Sequence, residues 1–188
     1  MKFDKSFIRK KFIIKRKKFA FTKKKFPFNL ILNLIKKKYK KKNIIIAGYY
    51  HANFEVNVID FLKIVAKKNK ISIALPVIHE KNKMTFNLWK LHEPLYINNF
   101  GILEPKKNSQ QVYPDIILTP LLTFDKNLNR IGYGKGYYDR ALKKIKKKKK
   151  IISIGVAYSF QEYKNIPINK HDVKLNYIFT EKGILYPR

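Results

Sequence analysis

Four short apolar runs recur along this chain, and they constrain its fold more than any other feature of the sequence. The runs are NIIIAGYY (43–50), ISIALPVI (71–78), DIILTP (115–120) and IISIGVAYS (151–159). Continuous apolar runs of this length, rich in isoleucine, predict strands that are buried on both faces of a sheet. Each run is far shorter than the ~20 apolar residues that a membrane-spanning helix requires, so we predict no transmembrane segment.

Segments with helical periodicity separate these strands. Residues 3–19 and 28–40 are predicted as lysine-crowded helices that each carry an apolar stripe, residues 55–68 as an amphipathic helix, and a further helix begins near Tyr137. A regular alternation of strands and helices predicts an α/β fold with three layers, α/β/α, around a mostly parallel central sheet.

The remaining segments are less regular. Residues 79–110 are predicted as a strand pair with loops, and residues 176–187 as a terminal, hairpin-like pair. The sequence shows neither an internal repeat nor a composition change that marks a boundary. We therefore expect a single domain over residues 1–188, and a monomer is plausible at this size.

The net charge of +31 has two interpretations. One is attraction to a polyanion. The other is a solvated surface in a lysine-biased composition, because only five of the 43 basic residues are arginine, the better bidentate phosphate ligand. The chain contains no cysteine, which excludes disulfides and thiolate metal sites and is compatible with a cytoplasmic location.

The segment NRIGYGKGYYDR, residues 129–140, is predicted to form a binding turn. It follows the strand at 115–120 and leads into a helix, at the strand ends where ligands of open α/β sheets bind. Backbone amides of the three glycines can approach an anion closely, and the positive end of the helix dipole adds to the attraction. Arg130 and Lys135 contribute fixed positive charge. A phosphate group is the expected ligand.

The glycine spacing excludes two common phosphate motifs. A Walker A loop needs G-x-x-x-x-G-K-[ST] and a dinucleotide fingerprint needs G-x-G-x-x-G, whereas this segment has G-x-G-x-G. Asp139 follows in the first helical turn, where a carboxylate near a polyphosphate suggests a bridging magnesium ion. The alternative is structural: a tight turn whose aspartate caps the helix.

The run TPLLTFDKNLNRIGYGKGYYDRAL (119–142), together with GILEP (101–105) and IGVAYSFQ (154–161), resembles the 5-formyltetrahydrofolate cyclo-ligase family, also called 5,10-methenyltetrahydrofolate synthetases. The order of these motifs matches the family from residue 5 to residue 181. The resemblance implies a Rossmann-like fold of the NagB/RpiA/CoA-transferase type.

The resemblance also implies an activity. The family closes the ring of 5-formyltetrahydrofolate to give 5,10-methenyltetrahydrofolate with ATP and magnesium, and it releases ADP and phosphate through a phosphorylated formyl (imidate) intermediate. Phosphoryl transfer of this kind depends on positioning and charge neutralisation rather than on a protein nucleophile. Lysine-rich margins would attract a polyglutamate tail on the substrate. Nucleic acid is not an expected partner, because the segment at 129–140 would be left unexplained and aromatic RNA-binding signatures are missing.

Family positions transfer to this sequence as follows. The resemblance assigns ATP binding to Lys5, Arg9, Arg130, Ile131, Gly132, Tyr133, Gly134, Lys135, Gly136, Tyr137 and Tyr138, and catalysis to Arg130 and Lys135. It assigns folate binding to Tyr50, Glu55, Tyr133, Gly134, Lys135, Gly136 and Tyr137, and magnesium binding to Asp139. Structural alternatives stay open for two of them, since Lys5 is one of many lysines and Glu55 would suit the start of a helix.

Three further residues raise questions at this stage. Where the family has an aspartate that takes part in the metal site, this chain has Asn176, and Asp172 is close enough in sequence to compensate. Trp89 and Phe86 have aromatic rings that suit stacking on a pterin, although core packing is the commoner role of such residues.

Overall fold

A computed structural model describes residues 4–19, 24–39 and 43–187 of the chain. The helices are α1 (Lys5–Phe19), α2 (Asn29–Lys38), α3 (Ile59–Ala66) and α4 (Tyr137–Lys146). The strands are β1 (Ile44–Ala47), β2 (Ile71–His79), β3 (Lys83–Leu88), β4 (Tyr96–Ile97), β5 (Leu103–Glu104), β6 (Gln111–Val112), β7 (Ile116–Pro120), β8 (Thr123–Phe124), β9 (Arg130–Ile131), β10 (Ile152–Val156), β11 (Tyr177–Thr180) and β12 (Gly183–Leu185).

An eight-stranded sheet forms the centre of the molecule, in the order β12-β11-β10-β7-β1-β2-β3-β6. The five inner strands, β11 to β2 in that order, are mutually parallel. Antiparallel partners flank them, β12 on one side and β3 with β6 on the other. The four apolar runs therefore supply four of the five parallel strands, and the prediction of a mostly parallel sheet is confirmed.

Helices cover both faces of this sheet because its inner strands present apolar side chains alternately to either side. In β1, Ile44 and Ile46 face the core formed with α2 and α3, where Leu62 is completely buried. Ala47 belongs to the opposite core, which α4 closes with Leu142. The three-layer α/β/α prediction is confirmed.

The first helix packs away from the main sheet. Ile8 and Phe12 of α1 form a separate apolar cluster with Leu122, Ile131 and Ile166. Its partner is a short hairpin in which β8 pairs with β9, within a stretch that the sequence indicated only as a turn. This hairpin joins α1 to the segment that precedes α4.

The third helix is shorter than predicted. Residues 55–68 were expected to be helical, but α3 spans Ile59–Ala66. The preceding residues form a turn in which the backbone N–H of Ala52 donates to Glu55 Oε2 at 3.0 Å, and Asn57 Oδ1 accepts from the N–H of Ile59 at 2.9 Å. These local side-chain bonds compete with helical ones. Glu55 thus does not open a helix, and that interpretation of its carboxylate is wrong.

The ends of two other predicted helices, at residues 3 and 40, lie outside the described residues. Within the described part of the chain, no helix has the length and apolar character needed to cross a membrane.

Candidate active site

A cavity of about 840 Å³ opens at the carboxyl ends of the parallel strands. Tyr49 and Tyr50 follow β1 there, and Pro120 ends β7. Every candidate residue from the sequence lines this cavity, namely Lys5, Arg9, Tyr50, Glu55, Arg130, Ile131, Gly132, Tyr133, Gly134, Lys135, Gly136, Tyr137, Tyr138 and Asp139. The fold thus brings together three segments that are far apart in sequence.

The glycine-rich loop, residues 132–136, ends directly at the first residue of α4. Gly134 has φ +98° and Gly136 has φ +68°, a region that side chains with a Cβ atom rarely adopt. Gly136 is the residue before the helix, and no side chain caps α4. The first N–H groups of α4 have no acceptor within the helix, so the loop and the helix start together offer donors to an anion.

Two arginines hold this loop in place. Arg9 of α1 donates from Nε to the carbonyl oxygen of Gly132 at 3.0 Å. Arg140 of α4 donates to the carbonyl oxygen of Lys135 at 2.7 Å and to that of Asn82, in the β2–β3 turn, at 2.9 Å. The side chain of Lys135 is itself exposed at the cavity. These bonds anchor two of the carbonyl groups of the loop.

Arg130 and Asp139 form an ion pair at the base of the cavity. Arg130 Nη2 lies 2.7 Å from Asp139 Oδ1, and that oxygen also accepts the backbone N–H of Val173 at 3.0 Å. Arg130 Nη1 donates to the carbonyl oxygen of Val173 at 2.5 Å. The arginine is 8% exposed. The guanidinium is therefore held by two hydrogen bonds, one to Asp139 and one to the carbonyl oxygen of Val173.

A magnesium site was predicted at Asp139. Among the described residues, no group of three His, Asp or Glu side chains is placed to enclose a metal ion, and the second carboxylate oxygen of Asp139 has no hydrogen bond within this part of the chain. Magnesium in phosphate-binding sites is held by one or two carboxylates together with substrate phosphates and waters. A single available carboxylate oxygen fits that mode, and it does not fit an all-protein cage.

Lys5 reaches the same cavity one helical turn before Arg9. Its ammonium group lies 2.5 Å from Asp172 Oδ2, an oxygen that also accepts the N–H of Asn169 at 2.7 Å. Lys5 and Arg9, four residues apart on α1, both line the cavity. Asp172 orients the lysine.

Glu55 also lines the cavity and is 9% exposed. Burial raises the pKa of its carboxyl group, and the nearby Arg16 guanidinium opposes that shift. Arg16 Nη1 is 3.9 Å from Glu55 Oε1. Tyr50 stacks on His51, with ring centroids 5.3 Å apart, and lines the adjoining wall.

Asn176, Trp89 and Phe86, whose roles the sequence left open, do not line the cavity. Asn176 does not line the cavity, and its Oδ1 accepts both the N–H and the hydroxyl of Ser153 at 2.9 Å. It ties the start of β11 to β10 and is not positioned as a metal ligand. Trp89 and Phe86 are core residues, 7% and 1% exposed.

Sequence reasoning missed Arg16 and Arg140 as site residues. Of the four arginines in the described part of the chain, Arg9, Arg16 and Arg140 contact the glycine-rich loop, and Arg130 pairs with Asp139 of α4. In a chain so rich in lysine, the positions that require a planar, multidentate cation stand out as arginine. The scarcity of arginine was the signal that could have identified both.

Taken together, the fold and the site define a three-layer α/β protein whose ligand cavity is formed by a glycine-rich loop at a helix start, cationic side chains and a buried glutamate. The sequence profile described as the 5-formyltetrahydrofolate cyclo-ligase family matches residues 2–181. The chain belongs to that family, which confirms the resemblance seen in the sequence.

Individual relatives agree with this assignment. The 5-formyltetrahydrofolate cyclo-ligase of Haemophilus influenzae is 38% identical over 150 residues, which cover 77% of this chain and 78% of that protein. The NMR structure of Aquifex aeolicus 5,10-methenyltetrahydrofolate synthetase has a TM-score of 0.76 at 29% identity, covering 98% of this chain and 93% of that chain. The Mycoplasma pneumoniae 5,10-methenyltetrahydrofolate synthetase has a TM-score of 0.71 at 26% identity, covering 95% and 99%.

Proposed function

We propose that this protein catalyses the ATP- and magnesium-dependent cyclisation of 5-formyltetrahydrofolate to 5,10-methenyltetrahydrofolate, with release of ADP and phosphate. The observation that carries the proposal is the meeting, in one cavity of about 840 Å³, of a glycine-rich helix start and a buried glutamate. That volume falls within the range of small-molecule sites.

The glycine-rich loop and α1 form the ATP side of the proposed site. Backbone amides at the start of α4 donate to phosphate oxygens, and Lys5, Arg9 and Lys135 supply the positive charge around them. Asp139 would hold a magnesium ion, because its second carboxylate oxygen is available. When bound, that ion neutralises charge on the phosphates.

The other side of the cavity binds the folate. Glu55 accepts hydrogen bonds from the amino and ring N–H groups of the pterin, which requires its ionised form. Tyr50 and residues 133–137 border the same ligand. A tail of additional γ-glutamates would meet the lysine-rich rim of the cavity, and turnover of mono- and polyglutamylated substrate at low salt tests that extension.

The proposed chemistry needs no protein nucleophile. The formyl oxygen attacks the γ-phosphorus, ADP leaves, and the anilino nitrogen then attacks the activated formyl carbon so that phosphate departs and the ring closes. Arg130 and Lys135 stabilise the negative charge that develops during phosphoryl transfer. Arg130 is held in place for this role by Asp139 and Val173.

The test is a spectroscopic assay. Purified protein with magnesium, ATP and 5-formyltetrahydrofolate should develop methenyl absorbance, and Asp139→Ala should reduce the rate by at least about 10²-fold. Asp60→Ala is the matched control, because Asp60 is likewise the acidic residue in the first turn of a helix but is exposed and outside the cavity. A folded wild-type protein that gives a flat trace would contradict the proposal.

The charge of +31 favours nucleic acid as a second candidate ligand. Filter binding of RNA across salt concentrations distinguishes it, because genuine phosphate contacts give a steep dependence on salt. Tight, steeply salt-dependent RNA binding without methenyl formation would favour the second candidate.

A further inference from the structure

Arg16 is the most deeply buried charged side chain among the described residues, at 1% exposure. It continues the core-facing stripe of α1, in which Ile8 and Phe12 are the two earlier members at four-residue spacing. An apolar side chain at this position would avoid the cost of burying a guanidinium. The polar contacts of Arg16 are therefore the feature to explain.

Those contacts join α1 to the glycine-rich loop and to Glu55. Arg16 Nη2 donates a hydrogen bond to the hydroxyl of Tyr133, and the guanidinium also lies over the ring of Tyr133, 5.6 Å from its centroid. Arg16 Nη1 faces Glu55 Oε1 at 3.9 Å and approaches the carbonyl oxygen of Leu121 at 3.4 Å. Arg16 does not itself line the cavity.

We propose that Arg16 is a positioning residue for folate recognition: it keeps Glu55 ionised and ties Glu55 to the glycine-rich loop through Tyr133. This inference rests on the proposed function. Arg16 touches no substrate. It acts through Glu55, which must be a carboxylate to accept the pterin N–H groups, and through Tyr133, which belongs to the loop that binds phosphate.

Arg16 is the cationic side chain next to Glu55. Tyr49 after β1, Tyr138 of α4 and Tyr133 of the loop face this region, and each is a neutral phenol at physiological pH. The pKa of Glu55 is raised by burial and lowered by Arg16, by the N–H of Ala52 and by Tyr133. Without the guanidinium, less opposes the effect of burial, so the pKa of Glu55 rises further. The carboxyl group then binds a proton more readily as pH falls.

The decisive measurement is the pH dependence of folate binding. We expect Arg16→Met to raise the Kd for 5-formyltetrahydrofolate, measured by calorimetry, above that of the wild-type protein, and the ratio of the two Kd values should grow as pH falls, by at most about tenfold for each pH unit. The Kd for ATP should change by less than about threefold, because the phosphate ligands remain. A purely structural loss would weaken both ligands alike and would not depend on pH.

Three further variants complete the experiment. Arg16→Lys should restore most of the wild-type pH profile, since it returns the charge. Arg16→Met/Glu55→Gln should bind folate weakly at every pH, because no titrating carboxylate remains. Lys17→Met is the matched control, an exposed neighbour on α1 that should leave the profile of the wild-type protein unchanged.

The outcomes separate the two hypotheses. A wild-type profile for Arg16→Met overturns the positioning role, as does equal, pH-independent weakening of both ligands. If Arg16→Met does not fold, the single variants Arg16→Lys and Tyr133→Phe decide the question: Tyr133→Phe removes a hydroxyl that lowers the pKa of Glu55, so it must raise the folate Kd about threefold, and more at lower pH. A wild-type Kd for Tyr133→Phe overturns the inference. A wild-type protein that binds folate without turnover contradicts the proposed reaction but not the role of Arg16, whereas one that binds no folate overturns both.

Discussion

Arg130 connects several parts of the candidate site. It lies in β9, directly before the glycine-rich loop, and it contacts both α4 through Asp139 and the segment before β11 through Val173. A guanidinium can make both contacts at once because its donors lie in one plane at fixed angles. The same rigidity would keep its charge aligned with a phosphate.

Replacement of Arg130 by lysine should therefore be costly although it preserves the charge. An ammonium group cannot reach Asp139 and Val173 together, so we expect kcat/KM to fall about 10²-fold and the free energy of unfolding to fall by about 1–3 kcal/mol. Steady-state kinetics and urea denaturation measure the two effects.

A matched exchange exists at another ion pair of the protein. Lys149 Nζ lies 2.6 Å from Asp115 Oδ1, and neither residue lines the cavity. Lys149→Arg should leave both quantities close to those of the wild-type protein. Near-normal kinetics for Arg130→Lys would show that charge alone suffices at this position.

At the scale of secondary structure elements, the junction between the glycine-rich loop and α4 determines how the site is presented. A Cβ atom built at Gly136 would lie 2.6 Å from Arg140 Nη1, and the backbone there is left-handed. At Gly132, by contrast, nothing lies within 4 Å of such an atom, and φ is not positive. The first glycine therefore leaves open space at the cavity, and the last allows the left-handed backbone turn.

Alanine substitutions should separate these two roles. Gly136→Ala should lower the free energy of unfolding by about 1–2 kcal/mol, because a Cβ atom is strained in the left-handed region and displaces Arg140. Gly132→Ala should keep wild-type stability but weaken ATP binding, since its methyl group occupies the open space of the cavity. Thermal unfolding and calorimetric titration with ATP test the pair, and equal stability losses at both positions would refute the distinction.

On the scale of the whole molecule, the charge of +31 is the dominant electrostatic property. In the described part of the chain, five ion pairs lie within 4.0 Å, which leaves most of the lysines without a carboxylate partner at that distance. Repulsion among like charges destabilises a compact state, and salt screens it over a distance of about 10 Å at 0.1 M.

This protein should therefore become more stable as salt is added. Between about 0.05 and 0.5 M NaCl we expect the Tm to rise by roughly 2–4 °C for each kcal/mol of relieved repulsion. KCl at equal ionic strength should act in the same way, because screening depends on ionic strength. A Tm that is constant or falls over this range would show that the lysines are arranged without net repulsion.

The monomeric state stays a prediction that sedimentation in the same buffers tests.

Much of the architecture followed from sequence alone, because local periodicity reports which faces of an element are buried. The apolar runs gave the inner parallel strands, and the glycine spacing with Arg130, Lys135 and Asp139 indicated a helix-start anion site. The start of α3 was placed too early, since the hydrogen bonds of Ala52 and Asn57 override the periodicity. Periodicity carries no information about such local polar competition.

The tertiary structure alone decided how these parts meet. Arg9 contacts Gly132 although 123 residues separate them, and α1 lies on the β8–β9 hairpin instead of on the main sheet. The burial of Glu55 against Arg16 also depends on that packing. Sequence patterns encode the period of each element, whereas contacts between distant elements depend on the shape and chemistry of the surfaces that fold together, and it is those contacts that bring α1, Glu55 and the glycine-rich loop to one cavity.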